Sequence, residues 1–333
     1  SLFLAFLIFS IRGLQAQWRS DPLIDDKIQR GIDHIYNIEF QEAENTFDEV
    51  IRLQPRHPVG HFFKAMAQWW RILTREDDES EDEKFYEMLE KVISICDEML
   101  KENPDDVTAL FFKGGSLGFR GRLRGNRRNW FGAARDGLEA LPIVQKAHRV
   151  DPENYDVLLG IGIYNYYAEI VPREYPIVKP FMMFFPSGDK ERGLEQLRLA
   201  SEKSKYARTE ATYFLMQNYF LHEKEYQKAL GLAQQLNVRY PRNSVFQRSW
   251  GRCNVSVGNW PEVLRIFTDV QKRFLEEQVG YDSYDGREAA YYIAADAFGN
   301  IARHARARHA SVRLSQTGDG VVLEISDDGV GFD

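Results

Sequence analysis

Apolar residues recur at helical spacing along most of the chain. From Asp21 to about residue 290 they fall at i, i+3, i+4 and i+7, and no strand-like alternation interrupts them before residue 310. Proline and asparagine mark helix ends in this region, for example at Asn103-Pro104 and Asp151-Pro152. The pattern therefore predicts a succession of amphipathic helices over residues 21–290, followed by a change of structure.

Small, aromatic and proline residues repeat at a fixed spacing within this helical region. They stand where a 34-residue tetratricopeptide repeat has its small packing residues, its aromatic residue and its terminal proline. Small residues let two antiparallel helices approach, the aromatic ring fills the gap to the next helix pair, and proline cannot continue a helix. The matching residues are Gly31, Ala43, Phe47 and Pro55, then Tyr213, Phe220, Ala229 and Pro241, and, with fewer matches, Gly251, Val263 and Phe267.

Residues 21–290 therefore resemble tetratricopeptide-repeat (TPR) proteins. The resemblance implies a mainly α fold, a TPR-like α-solenoid of antiparallel helix pairs, with a short C-terminal α+β fragment made of a helix and a β-hairpin. It also implies a protein–protein interaction scaffold that binds a protein or peptide on its concave face. Because such arrays bind many unrelated partners, the resemblance names no particular partner.

The spacing of apolar residues changes from helical to strand-like near the C-terminus. Residues 311–315 (SVRLS) and 321–326 (VVLEIS) are typical of strands, and the turn residues between them predict a β-hairpin. A helix ending in NIARHA (residues 300–305) precedes the hairpin, and DDGVG (residues 327–331) follows it. This order is similar to the start of the ATP-binding domain of sensor histidine kinases and their relatives, the GHKL ATPases.

This second resemblance implies a partial histidine-kinase-like ATPase segment over residues 291–333, with ATP and Mg²⁺ as ligands. Asn300 would hold the Mg²⁺ that bridges the phosphates, and Asp296 stands at the family's usual catalytic glutamate. Asp327 would accept a hydrogen bond from the adenine amino group, which suits a carboxylate. Arg303 and His304 match the family's basic residues beside the phosphates. Gly329 and Gly331 match its glycines, which let the backbone approach the nucleotide where a side chain would collide with it.

Several parts of a complete GHKL domain are missing after residue 331, including the second glycine-rich box and the nucleotide lid, and no phosphoacceptor helix occurs. We therefore expect no kinase activity and interpret the segment as vestigial, in a truncated or chimeric chain joined near Tyr292. Residues 287–292 are interpreted as the start of one more repeat helix. The alternatives are a fragment of a TPR-containing sensor histidine kinase of a two-component system, or a merely basic helix end at His304.

Two charged segments interrupt the repeats. Residues 75–83 (REDDESEDE) are interpreted as a solvated acidic loop, because like charges repel and stay hydrated. Five arginines crowd the segment FRGRLRGNRRNWF and form a candidate anion patch, since the guanidinium group suits phosphate or carboxylate. They are Arg120, Arg122, Arg124, Arg127 and Arg128. The alternative is an exposed loop whose arginines pair with the acidic surface.

The N-terminal residues 2–9 (LFLAFLIF) form an apolar run too short to span a membrane. With Ala16 as a small residue before a cleavage point, the pattern predicts a signal peptide or N-terminal hydrophobic segment over residues 1–17. We therefore expect an exported, periplasmic or envelope-associated protein, or a cytoplasmic one if the kinase-fragment interpretation holds. We do not expect an integral multi-span membrane protein, because no later segment is long and uncharged enough.

The composition changes this picture little. The chain has 333 residues, 44% of them hydrophobic, which suffices for one large or two ordinary domains. A formal net charge of −7 argues against a general nucleic-acid binder, which would need a strongly basic face. Cys96 and Cys253 lie far apart among apolar helical neighbours, so we expect buried thiols rather than a disulfide or a metal cluster.

Overall fold

The computed structural model describes residues 22–75, 77–174, 185–317 and 320–330. The predicted N-terminal segment 1–17 and Gly331 lie outside these residues. None of the helices in the described part combines the length and the hydropathy of a membrane span.

Thirteen α-helices follow one another along the described residues, and a small sheet comes after them. The first seven are α1 (Pro22–Tyr36), α2 (Phe40–Leu53), α3 (Pro58–Leu73), α4 (Asp82–Glu102), α5 (Val107–Asn126), α6 (Trp130–Val150) and α7 (Val157–Glu174). The next six are α8 (Lys190–Lys203), α9 (Arg208–Leu221), α10 (Tyr226–Arg239), α11 (Ser244–Ser256), α12 (Trp260–Leu275) and α13 (Ser283–Asn300). A π-helical turn (Ile301–Ala305) and the strands β1 (Ala310–Thr317) and β2 (Gly320–Asp327) complete the fold.

Each helix packs against the helix that follows it, from α1 to α13. Most loops between these neighbours are short, which makes successive helices antiparallel. Helices two positions apart also touch, as α1 does with α3 and α3 with α5. The structure therefore confirms the predicted mainly α fold, a TPR-like α-solenoid of helix pairs.

The repeat frames predicted from the sequence define the packing within helix pairs. A Cβ atom on Gly31 of α1 would lie 2.4 Å from the Phe47 ring of α2, and one on Gly251 of α11 would lie 2.6 Å from the Phe267 ring of α12. Phe47 and Phe267 are both fully buried. Only glycine permits this approach of the two helix axes, which explains why the two frames share a glycine and an aromatic residue sixteen positions apart.

The first helix of the array contacts helices near its far end. The Tyr36 ring of α1 packs against Trp70 of α3, Tyr240 and Phe246, with ring centroids 5.1, 5.2 and 6.1 Å apart. The Asn243 side-chain amide donates to the Tyr36 carbonyl over 2.9 Å. The four aromatic residues belong to one continuous buried core. The solenoid therefore closes on itself, and aromatic side chains fill the space between the inner faces of α1, α3 and α11.

Ion pairs and hydrogen bonds reinforce this closure at the surface. Asp25 of α1 accepts from Lys205 at 2.7 Å and from the Tyr206 hydroxyl at 2.6 Å. Further along the same edge, Arg242 donates to Glu39 over 2.7 Å. Polar contacts thus flank the aromatic contact on both sides.

The C-terminal end departs from the repeat. Helix α13 runs unbroken through the predicted junction near Tyr292, whose ring stacks on Phe267 of α12 with centroids 4.4 Å apart. Strands β1 and β2 pair antiparallel from Ala310–Asp327 to Thr317–Gly320, which confirms the predicted hairpin. Helix α13 is therefore the last α-helix packed on the array in the described residues, and it also contacts β2.

Candidate functional site

The arginine-rich segment forms ion pairs within the array. Helix α5 continues to Asn126, so three of the five arginines lie on a helix and not in a loop. Of these three, Arg120 and Arg124 pair with residues of α4 and α6. Arg120 pairs with Glu90 and, at 2.7 Å, with the fully buried Asp136, which also accepts from Arg124 at 2.5 Å. Arg127 donates to Asp82 at the start of α4 over 2.7 Å.

Most arginines of the predicted anion patch therefore already have carboxylate partners within the chain. Arg128 is an exposed residue with a positive φ of 61° just after α5. The other four are bound to carboxylates of this chain: Arg120, Arg122, Arg124 and Arg127. The glycines between them serve helix packing, since a Cβ atom on Gly121 would lie 3.2 Å from Asp136. The arginines do pair with carboxylates, as in the alternative interpretation, but most of the paired arginines lie on a helix and not in an exposed loop.

Arg122 takes part in a network at the centre of the array. Its guanidinium donates to Glu210 of α9 over 3.1 Å and lies over the Phe214 ring, 4.2 Å from the centroid. Glu210 also accepts from the Tyr36 hydroxyl at 3.2 Å and from the Trp70 indole at 3.3 Å. Burial raises the pKa of Glu210, and the Arg122 charge and these hydrogen bonds oppose that rise. The network joins α1, α3, α5 and α9.

The predicted nucleotide residues fall into two local groups. On α13 the Asn300 amide donates to Asp296 over 3.0 Å, and Arg303 donates to the Gly299 carbonyl over 2.8 Å. His304 is exposed in the π-helical turn. Within this group, Asn300 and Arg303 each bond to a residue one helical turn away.

The second group is the turn after β2. The Gly329 amide donates to Asp327 over 2.8 Å, and the Val330 amide donates to the Ala305 carbonyl over 2.8 Å. A Cβ atom on Gly329 would lie 2.2 Å from that same carbonyl oxygen. Gly329 therefore permits contact with the end of the helical segment that carries Asn300.

These contacts decide how well the described residues fit ATP and Mg²⁺. The carboxylate of Asp296 and the amide of Asn300 bond to each other, and the close approach at Gly329 is to Ala305. The strand residues Val312 and Val322 are exposed, and the register of the strands places them on opposite faces of the hairpin. Among the described residues, Asp296, Asn300 and Gly329 therefore contact other parts of this chain, and we derive no chemistry through a bound nucleotide.

A cleft of about 510 Å³ opens where α11 and α13 meet the acidic loop before α4. Five of its lining residues lie on one face of α13, because their spacing of three and four positions matches the helical turn. The lining residues are Asp77, Arg252, Tyr284, Arg287, Glu288, Tyr291 and Tyr292. Helix α13 begins with a capping box between Asp282 and Asp285, which fixes the start of this face.

Ion pairs organise the floor of the cleft. Glu288 accepts from Arg252 through two bonds of 2.5 and 2.7 Å, and Arg252 also donates to the Tyr284 hydroxyl over 3.1 Å. Beneath them Arg248 and Asp285, both buried, form an ion pair. The carboxylate of Glu288 and the guanidinium of Arg252 are thereby engaged with each other.

The rim of the cleft is more open. Tyr291 is 67% exposed, and the Arg287 side chain is 66% exposed. Arg287 lies 3.7 Å from Asp77, the cleft residue contributed by the acidic loop. Burial raises the pKa of Tyr292, the innermost of the three tyrosines, and Glu288 raises it further.

Sequence reasoning did not identify this cleft. Residues 287–292 were expected only to start another repeat helix, and the structure shows that this helix also presents tyrosine and arginine to solvent. The available signal was the spacing of Tyr284, Arg287 and Tyr291, which places three interface-type side chains on one helical face. The contribution of Asp77 depends on the curvature of the array and left no local signal.

No family model matches the chain, and no curated protein matches it. Three solved structures of tetratricopeptide-repeat proteins are similar to it at low identity. A thermophilic TPR protein of Thermus thermophilus is 14% identical with a TM-score of 0.41, and the alignment covers 70% of this chain and 99% of that one. A Parabacteroides merdae repeat protein is 13% identical with a TM-score of 0.33, covering 83% and 93%.

The third is the yeast Sti1 TPR2AB domain in its complex with pHSP90, which is 11% identical with a TM-score of 0.27, covering 82% of this chain and 98% of that one. At these TM-scores we draw no conclusion about function from the three structures. The assignment to a TPR-like solenoid rests on the helix packing of this chain.

Proposed function

We propose that this chain is a TPR-type interaction scaffold that binds a peptide segment of a partner protein in the cleft between α11, α13 and Asp77. The observation that carries the proposal is the composition of the cleft, with three tyrosines and two arginines around one concavity. Tyrosine and arginine are enriched at protein interfaces and among the residues that contribute most to binding. The partner therefore gains rigid aromatic contact area and directional hydrogen bonds in one place.

The position of the cleft in the array supports the same proposal. Helices α11 and α13 are the first helices of their pairs, as are α1, α3 and α9. At the level of α1 the inner faces of these helices are filled by Tyr36, Trp70 and Phe246, which leaves no room there for a peptide. The cleft lies on α11 and α13 outside this filled region, and we propose it as the site of the predicted partner.

A selection experiment tests this function. Random peptides displayed on phage are selected on the wild-type chain, and the enriched peptides are then tested on the double variant Arg287→Ala/Tyr291→Ala. Because both side chains are about two thirds exposed, the double variant is expected to fold. We expect at least about a tenfold loss of affinity, since removing two anchor residues costs more than about 1.4 kcal/mol.

The matched control is Trp130→Ala. Trp130 is 64% exposed at the start of α6 and does not line the cleft, so its replacement is expected to leave peptide binding unchanged. A selection that enriches no peptide overturns the proposal. Equal affinity for the wild type and the double variant does the same.

A second candidate function is nucleotide binding by residues 291–333, which one contact favours. The bond between the Val330 amide and the Ala305 carbonyl brings the turn that follows Asp327 against the end of the helical segment that carries Asn300. Titration of the purified chain with ATP and Mg²⁺ tests it. Saturable binding that is lost in Asn300→Ala and in Asp327→Ala would support it, and no binding at millimolar ATP would exclude it.

A further inference from the structure

We infer that the segment bound by the cleft is acidic and that Asp77, in the chain's own acidic loop before α4, competes with it for Arg287. The inference rests on the proposed function and adds the chemistry of the partner. It depends on three features of the cleft: the exchangeable partner of Arg287, the neutralised charge of Glu288, and the hydroxyl donors of the tyrosines.

Arg287 is the cleft cation whose carboxylate partner can be exchanged. The pair with Asp77 spans 3.7 Å, and the two side chains are 66% and 84% exposed. Exposed ion pairs of this kind contribute little to stability, so an incoming carboxylate replaces Asp77 at small cost. Arg252 differs, because Glu288 already holds it through two hydrogen bonds and its side chain is only 33% exposed.

The remaining charge of the cleft favours an acidic occupant once the loop is displaced. Glu288 is neutralised by Arg252 and its side chain is 10% exposed, so it offers no accessible carboxylate to a basic segment. Without Asp77 the rim keeps the positive charge of Arg287. Opposite charge across an interface steers association and fixes the register of the partner.

The tyrosine hydroxyls complete a carboxylate-binding arrangement. Tyr291 lies one helical turn after Arg287, and its ring meets that of Tyr292 edge to face with centroids 5.1 Å apart. A tyrosine hydroxyl is protonated at neutral pH and can donate a hydrogen bond to a carboxylate. One guanidinium and neighbouring O–H groups on the same face can bind the oxygens of a single carboxylate.

The loop provides the probe for the test. A fluorescein-labelled peptide with the sequence of residues 75–83, REDDESEDE, is titrated into the full chain and its variants, followed by fluorescence anisotropy. We expect Asp77→Asn to strengthen binding about twofold to fivefold, the scale of one exposed ion pair. Arg287→Ala is expected to abolish binding, whereas Arg198→Ala, an exposed arginine of α8, is expected to change nothing.

Two results would overturn the inference. One is tighter binding of a charge-reversed peptide, with lysine at every acidic position, because such a peptide would pair with Asp77 and not with Arg287. The other is weaker binding of the acidic peptide to Asp77→Asn than to the wild type. If the phage selection enriches cleft-dependent peptides that are basic or uncharged, only this inference fails. If it enriches none, the proposed function fails as well.

Discussion

The hydroxyl of Tyr36 donates a hydrogen bond to the carboxylate of Glu210 over 3.2 Å, although the two residues are 174 positions apart. The carboxylate lies among α1, α3 and α9, and Arg122 of α5 provides its counter-charge at 3.1 Å. A buried carboxylate is tolerated only when it is paired and hydrogen-bonded. Closure of the solenoid therefore removes the Glu210 carboxylate from water. The closed form depends on Arg122 to neutralise that charge.

Replacing Arg122 by leucine tests this dependence. The single variant leaves Glu210 buried without a cation, and we expect a loss of about 3 kcal/mol or more in the free energy of unfolding. The double variant Arg122→Leu/Glu210→Leu removes both charges and is expected to recover most of that loss. Urea unfolding followed by circular dichroism measures both. Additive losses in the double variant would show that the pair is not coupled.

The pH dependence of the same variant has a defined sign. Burial raises the pKa of Glu210 in the folded chain above its unfolded value. A raised carboxyl pKa contributes stability that is present at low pH and is lost as pH rises through the folded pKa. In Arg122→Leu this rise is larger, so the stability deficit of the variant is expected to shrink as pH falls from neutral. A deficit that grows on acidification would contradict the assignment.

Two glycine-to-alanine variants, one at a helix contact and one in open space, test the packing of the repeats. Gly251→Ala places a Cβ atom 2.6 Å from the Phe267 ring, and overpacking of this kind costs about 1–3 kcal/mol. Gly231 lies within α10, and a methyl group added there would meet nothing within 4 Å, so Gly231→Ala is expected to stabilise the helix by up to about 1 kcal/mol. Urea midpoints of the two variants should move in opposite directions. Equal shifts would mean that the contact at Gly251 does not define the packing.

Both cysteines are expected to be inert in the folded chain. Burial raises the pKa of Cys96 and of Cys253 to about 12, well above the ordinary thiol value. Because the thiolate is the reactive form, alkylation by iodoacetamide at mildly alkaline pH is expected to be slow in buffer and fast in concentrated urea. Mass spectrometry after timed labelling measures both rates. Rapid labelling of either cysteine in buffer would show that its helix pair opens locally.

The sequence was informative where structure depends on residues close along the chain. Gly31 and Phe47 are sixteen positions apart, and their spacing predicted the contact between α1 and α2. The hairpin was predicted for the same reason, since strand alternation and turn residues are local signals. The arginine segment was harder, because glycines at 121 and 125 are typical of loops, and only the packing of α6 against α5 shows why a helix tolerates them.

Patterns among residues close along the chain could not predict the closure of the solenoid or the cleft. The contact between Tyr36 and Glu210 depends on the accumulated curvature of the helix pairs between them, and a small change in each pair would separate these residues. The same holds for Asp77 and Arg287, which come from distant parts of the array. Local sequence patterns therefore predicted the helical class and the hairpin, but they did not predict where a partner has room to bind.

Site-specific photo-crosslinking tests the central claim most directly, namely that the partner binds on the exposed face of α13. A benzophenone amino acid replaces Tyr291 in one variant and Trp130 in a second, and each is irradiated with a peptide obtained by selection on the wild-type chain. We predict a covalent adduct at position 291 that excess unlabelled peptide suppresses, and none at position 130. An adduct at position 130 alone, or no adduct at position 291 under saturating peptide, would contradict the account.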